Sequence, residues 1–202
     1  MLVRHLPTLD DANGIYTPPD SNVGFAAIDE SRLAGLREEI SAFVHAHNIQ
    51  HVYCSSNQRG VKTAEILFDG LSTKCKIAAD SALGNMDQPE WGNQPQSYVK
   101  TTDKYRLWHS NPSTVQFEGG ESLQDVERRI DKFLDRTSGQ SAIIVSHTTP
   151  MQVLLCKLIG IDVDRIWCFE FEHYRLTAMF GQILLRYNAA KISDINFEEL
   201  KL

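Results

Sequence analysis

The chain has no surplus of basic residues, no long apolar run and no paired cysteines, and each absence removes a class of function. Lys and Arg number 20 against 26 Asp and Glu, a formal net charge of −6. A chain of this charge lacks the excess cations that displace counterions from a phosphate backbone, so general nucleic-acid binding is not expected. A small anionic ligand would need a local positive pocket. No stretch approaches the uninterrupted apolar length of a membrane helix, and the N-terminus lacks a basic region followed by an apolar core. Neither a membrane span nor a cleavable signal is expected, and a cytoplasmic location is the default. Cys54, Cys75, Cys156 and Cys168 are widely spaced, without a CxxC pair or a metal-ligand rhythm. That pattern points to reduced thiols with no chemistry assigned to them.

A length of 202 residues suits one well-buried domain over 1–202, with a lid-like insertion at about 80–120 where periodicity dissolves into Pro- and aromatic-marked turns. Elsewhere apolar runs and helical stretches alternate. Leu2-Val3, His51 to Ser55, Cys75 to Ala79 and Ala142 to Val145 read as strands. Between them, Leu33, Leu36, Ile40, Phe43 and Val44 recur at helical spacing behind Asp29 or Ser31 as N-cap. Val61, Ala64, Leu67 and Phe68 form a second such stripe behind Asn57. Leu123, Val126, Ile130, Phe133 and Leu134 form a third, with Ser122 and Asp125 approximating a capping box. A fourth helix is expected with Thr149 as N-cap and Pro150 at its first position, ending at Gly160. Asp10 to about Asn22 is rich in turn formers and reads as a loop beside the mouth of a site. Arg175 to Phe180 and Ile183 to Tyr187, joined by Gly181-Gln182, read as a hairpin. The succession predicts an α/β fold, a three-layer α/β/α sandwich whose mostly parallel sheet carries an antiparallel edge.

Three groups of chemically useful side chains fall just beyond strand ends: Arg4 with His5, Arg59 after Cys54-Ser55-Ser56, and His147 after Ile143-Ile144-Val145-Ser146. In an open α/β sheet such ends converge on one crevice. Arg59 also lies in the first turn of its helix, where a cation is unfavourable unless an anion is close.

Leu2-Val3-Arg4-His5-Leu6-Pro7-Thr8 resembles the RHG-containing start of the histidine phosphatase superfamily, the phosphoglycerate mutase-like proteins. Ser55 to Ala64 is similar to that family's SxxxR(A)xxTA segment, Gly119-Gly120-Glu121-Ser122 with Asp125 to its GES segment, and Val145-Ser146-His147 to its VSHG segment. The four motifs come in the family's order across residues 2 to about 155. The resemblance implies a metal- and cofactor-independent phosphoric monoester hydrolase acting on a small phosphorylated metabolite. His5 would be the nucleophile that forms a phosphohistidine, while Arg4, Arg59 and His147 would bind the phosphoryl oxygens. A mutase-type phosphotransferase and a non-catalytic phosphate-binding module are the alternatives. Oligomeric state is not readable from the chain.

Several positions depart from the family pattern. Leu6 and Thr148 stand where glycine is usual, and both bring side chains to a backbone that approaches phosphate. Asp11 falls near a phosphate-facing Asn, a role Asn13 could take instead. Asn85 falls where the family has its proton-donating Glu, which makes Asp87, or else Glu90, the substitute donor. Asn13, Thr148 and Arg106 are the substrate-binding candidates, with Lys100, Lys104, Tyr105 and Trp108 further candidates from the insertion. His51, His109 and His173 have no motif support and read as structural or surface residues.

Overall fold

The computed structural model describes residues 1–70, 75–180, 183–187 and 190–191. Its strands are β1 (Leu2–Arg4), β2 (His51–Ser55), β3 (Lys76–Asp80), β4 (Ala142–Ser146), β5 (Leu176–Phe180), β6 (Ile183–Tyr187) and β7 (Ala190–Lys191). Its helices are α1 (Leu9–Asn13), α2 (Glu30–His47), α3 (Gln58–Phe68), α4 (Gln96–Val99), α5 (Asp103–Ser110), α6 (Leu123–Arg136) and α7 (Thr148–Ile159). Among the described residues the strands form one sheet in the order β3-β2-β4-β1-β5-β6-β7. β3, β2, β4 and β1 are parallel, and β5, β6 and β7 continue the sheet antiparallel.

Alternation along the strands divides the core into two layers, because successive side chains point to opposite faces. Leu2 and Ile144 join the buried cluster of α6 and α7, whereas Val3, Val52, Cys54, Ile143 and Val145 join that of α2 and α3. The three-layer sandwich follows. In α2 the stripe Leu33, Leu36, Ile40 and Val44 is buried, and Asp29 caps the helix by accepting the Arg32 N–H. In α6 the capping box between Ser122 and Asp125 is complete, and Leu123, Val126, Ile130 and Phe133 are buried. Each side chain so buried contributes roughly 1.5 to 3 kcal/mol.

The register places the site. Arg4 lies opposite Ser146 on the neighbouring strand, so His5 and His147 leave adjacent parallel strands side by side. β2, with Cys54 opposite Val145, brings the start of α3 to the same edge. Gly60 is needed there, because a Cβ would stand 2.7 Å from that of Ser55.

Some local expectations change. Residues 9–13 form α1 rather than turns, because Thr8 and Asp11 make a reciprocal capping box. α7 begins at Thr148 with His147 as its N-cap, two residues earlier than Pro150 at the first position implies, since proline is tolerated anywhere in a first turn. The third strand starts at Lys76. The Gly181-Gln182 turn and the tail beyond Lys191 lie outside the described residues, while the antiparallel pair that the turn joins is present.

The insertion holds two short helices, α4 and α5, amid its turns. Leu83, Met86, Trp91, Val99, Trp108, Val115 and Phe117 belong to the same buried cluster as α6 and α7, so its apolar residues form no separate satellite. Its end is pinned at Gly120, where a Cβ would come within 2.4 Å of Pro89 Cδ and 2.5 Å of the Asp87 carbonyl oxygen. Glu121 donates its N–H to that carbonyl at 2.9 Å, accepts the Asp87 N–H at 3.0 Å, and is held by both Nε and Nη2 of Arg129. The glycine and glutamate of this motif therefore anchor a loop. Among the described residues no helix is long and apolar enough to cross a membrane.

Candidate active site

At the C-terminal edge of the parallel strands lies a cavity of about 290 Å³ lined by Arg4, His5, Asp11, Arg59, Asn85 and His147, with the start of α7 and several side chains of the insertion. The Nδ1–H of His5 donates to the carbonyl of Leu6 at 2.7 Å. A carbonyl can only accept, so this bond fixes the tautomer and leaves the lone pair on Nε2. Burial, followed by the nearby Arg4 and Arg59 charges, pushes the His5 pKa down to about 3. The ring is neutral at physiological pH, the form a nucleophile requires. His147, with its ring centroid 4.9 Å from that of His5, is also neutral. Burial lowers its pKa first, with His5, Arg59 and Arg4 adding to the effect. Its Nε2 bonds to the hydroxyl of Ser55 at 2.8 Å.

Around the two rings stand donors and fixed charges. Arg59 is almost wholly buried and bonds to the Pro18 carbonyl at 3.1 Å; burial lowers its pKa to about 10, which leaves it cationic. Arg4 donates to the Phe171 carbonyl at 3.2 Å and to Asp11 at 3.0 Å. Arg4 Nε and His147 Nδ1 are buried and have no hydrogen-bond partner among the described residues. A buried polar atom left unpaired costs roughly 1 to 3 kcal/mol, a cost that an anion's oxygens would remove. α7 has no side-chain cap, so the N–H groups of its first turn add a partial positive charge at the Thr148 wall.

Residues 2–181 match the model of the histidine phosphatase superfamily, branch 1. The chain belongs to this superfamily. It is 39% identical over 128 residues to phosphoserine phosphatase 1 of Hydrogenobacter thermophilus, a match that spans 60% of this chain and 60% of that protein. It is 24% identical over 177 residues to an adenosylcobalamin/alpha-ribazole phosphatase of Salmonella typhi, spanning 85% of this chain and 84% of that one. In fold it is similar to the crystal structure of the alpha-ribazole phosphatase from Shigella flexneri, with a TM-score of 0.76 at 20% identity, covering 96% and 98% of the two chains.

Against this family background, Arg4, His5, Arg59, His147 and Thr148 all line one cavity, and the other candidates are placed elsewhere. Asp87 lies in a neighbouring cleft of about 460 Å³, which shares Tyr16, Thr17, Asn85 and Gln88 with the cavity. Burial, Glu121 and Asp20 raise its pKa. Glu90 is tied to Lys104 and to the Glu118 N–H. Asn85 itself lines the cavity, and its N–H is fixed by Asn57 Oδ1 at 2.7 Å. Asn13 and Arg106 are not among the lining residues; Arg106 is exposed and paired with Asp103. Of the insertion's further candidates Lys100, Tyr105 and Trp108 line the wall, beside Trp91 and Gln96 of the same insertion.

The two departures at family glycines have different outcomes. Leu6 is fully buried in the α2/α3 cluster, so its side chain leaves the cavity free, whereas Thr148 faces it. Asp11 does not stand as an uncompensated charge. Burial disfavours its carboxylate, but contacts with His173, His5, Arg4 and Thr8 outweigh that and hold it well below the usual carboxylate range. Residues that sequence reasoning passed over are Ser55 and Thr63, inside a motif but assigned no role, and His173, which had no motif at all.

The buried histidines set a pH dependence of stability. In the unfolded chain both protonate near pH 6.5, whereas the native chain resists until far lower pH. Without phosphate, stability is fully present above about 6.5 and lost as pH falls toward about 3, by up to ~1.4 kcal/mol per pH unit for each fully shifted histidine. Urea midpoints between pH 7 and pH 4 should fall accordingly, and more shallowly in His5→Asn; equal slopes would contradict this assignment.

Proposed function

We propose that this protein is a phosphomonoesterase that hydrolyses a small phosphorylated metabolite through a phosphohistidine on His5, with no metal needed for the chemistry. The observation that carries the reading is a neutral His5 with its Nε2 lone pair free, in a cavity lined by Arg4, Arg59 and His147. Relatives named as phosphoserine and alpha-ribazole phosphatases support a small monoester as the substrate class.

In the first step Nε2 bonds to phosphorus as the bond to the ester oxygen breaks. The ring becomes cationic, and its Nδ1–H points at the Leu6 carbonyl, whose partial negative charge stabilises it. Arg4, Arg59, His147 and the start of α7 hold the non-bridging oxygens, where phosphoryl transfer concentrates charge. Water then attacks phosphorus and His5 leaves as the neutral ring. The only carboxylate among the described lining residues is Asp11, engaged with Arg4 and Thr8. The departing oxygen therefore draws its proton from solvent rather than from Asp87. Lys100, exposed at the wall and with no ion pair among the described residues, is placed for a polar or anionic group of the substrate. A cytoplasmic site of action belongs to the same proposal, supported by the free thiols of the four cysteines.

Rapid acid-sensitive trapping decides the matter. Wild-type protein quenched in alkali during turnover of a labelled monoester should carry acid-labile, alkali-stable phosphate on His5. Phosphate release with no such species would remove the covalent route, and binding with neither would favour a phosphate-binding module.

A further inference from the structure

We infer that His173 is a positioning residue for the nucleophile, acting on the peptide that joins His5 to Leu6; the inference rests on the proposed role of His5. That peptide is clamped on both edges. His173 Nδ1–H donates to the His5 carbonyl at 2.7 Å, and the Leu6 N–H donates to Thr63 Oγ1 at 2.9 Å. The next carbonyl, that of Leu6, accepts the His5 Nδ1–H. Rotation of the clamped peptide would swing this carbonyl and release the ring from the tautomer that leaves Nε2 free. His173 thus reaches the imidazole it steers through two hydrogen bonds and the stretch of backbone between them.

Its placement is built. Tyr174 adopts a left-handed φ of 60°, a conformation that a bulky residue holds only where its surroundings enforce it. The surroundings are visible. Tyr174 is buried, its hydroxyl accepts the Asp29 N–H at 3.1 Å, and Arg32 stacks over its ring at 4.8 Å while donating to the His173 carbonyl at 3.0 Å. The reversal of chain direction at Tyr174, just before β5, turns His173 inward, with its ring centroid 5.3 Å from that of His5. The other ring nitrogen, Nε2, lies 3.6 Å from Asp11 Oδ1, the oxygen that accepts from Arg4. The same side chain thus touches the nucleophile's backbone by a hydrogen bond and stands beside the carboxylate that accepts from Arg4. His173 is not among the cavity-lining residues, so its effect is indirect.

The test compares His173→Ala, His173→Phe and His173→Asn with wild type, reading the single-turnover rate of phosphoenzyme formation, KM, and the His5 tautomer by long-range ¹H–¹⁵N NMR. Loss of the donor in Ala and Phe should slow phosphorylation by about 10- to 100-fold with KM little changed, the scale expected when a reacting group is slightly misplaced. The His5 spectrum should shift from a single Nδ1–H tautomer to a mixture. Asn keeps an N–H donor near the same place and should recover most of the rate and the single tautomer. Phe fills the ring's space, so it answers the question if the alanine chain does not fold. Wild-type rates and tautomer in both donor-less variants would overturn the inference, as would a folded Asn variant no better than Phe. If wild type forms no phosphoenzyme, the covalent role of His5 fails, and the NMR comparison alone still decides whether His173 orders His5.

Discussion

His5→Ala should lower phosphate release from a monoester by roughly 10⁴-fold or more, the scale seen when a covalent nucleophile is deleted and the surrounding binding groups remain. Arg4, Arg59 and His147 would still bind phosphate, so substrate affinity should change far less than turnover. The substitution leaves a small polar void and removes one hydrogen bond to Leu6, which the sheet edge can tolerate; circular dichroism should show the native fold. Release at the wild-type rate by a folded His5→Ala protein would disprove the nucleophile assignment and direct attention to direct attack by water.

Asn85→Glu should produce a gain. Asn85 lines the cavity, and its backbone is already fixed by Asn57, so a carboxyl at this position would arrive on a placed loop. Burial and bound phosphate would both raise its pKa and keep it able to donate. General acid catalysis contributes typically about 10²- to 10⁴-fold, and a newly introduced acid should realise the lower end, about 10²-fold, on alkyl monoesters. Aryl monoesters, whose leaving groups need little protonation, should change by much less. The measurement is the dependence of turnover on leaving-group pKa, steep in wild type and flattened in the variant. Equally shallow dependence in both would mean that wild type already has a proton donor; Asp87, across the shared cleft wall, would be the first residue to replace.

Much of this was legible because the chemistry sits next to strands in sequence. Val3-Arg4-His5 and Val145-Ser146-His147 each read as a buried run followed at once by a functional residue, and the parallel register of β1 and β4 joins them. Helices with one apolar face, such as α2 and α6, announced themselves by spacing and by Asp29 or Ser122 at their starts. The short helix α1 did not, because Thr8 and Asp11 form its capping box inside a segment whose composition favours turns. For Asp87, the expected acid, sequence gives proximity to Asn85 and no direction. In the fold it faces a second cleft, while the anchored Glu121 holds its backbone.

By itself, then, the sequence determined the layered α/β plan and pointed to Arg4, His5, Arg59 and His147 as site candidates, since periodicity, strand-end position and short family-like motifs are local properties. Only the tertiary structure decided how those groups are tuned. The neutral tautomer of His5, the pairing of Asp11 with Arg4 and the inward turn of His173 depend on burial and on contacts between distant segments. His173 bonds to His5 across 168 positions of chain, and no local pattern encodes a contact that exists only when β5 closes beside β1.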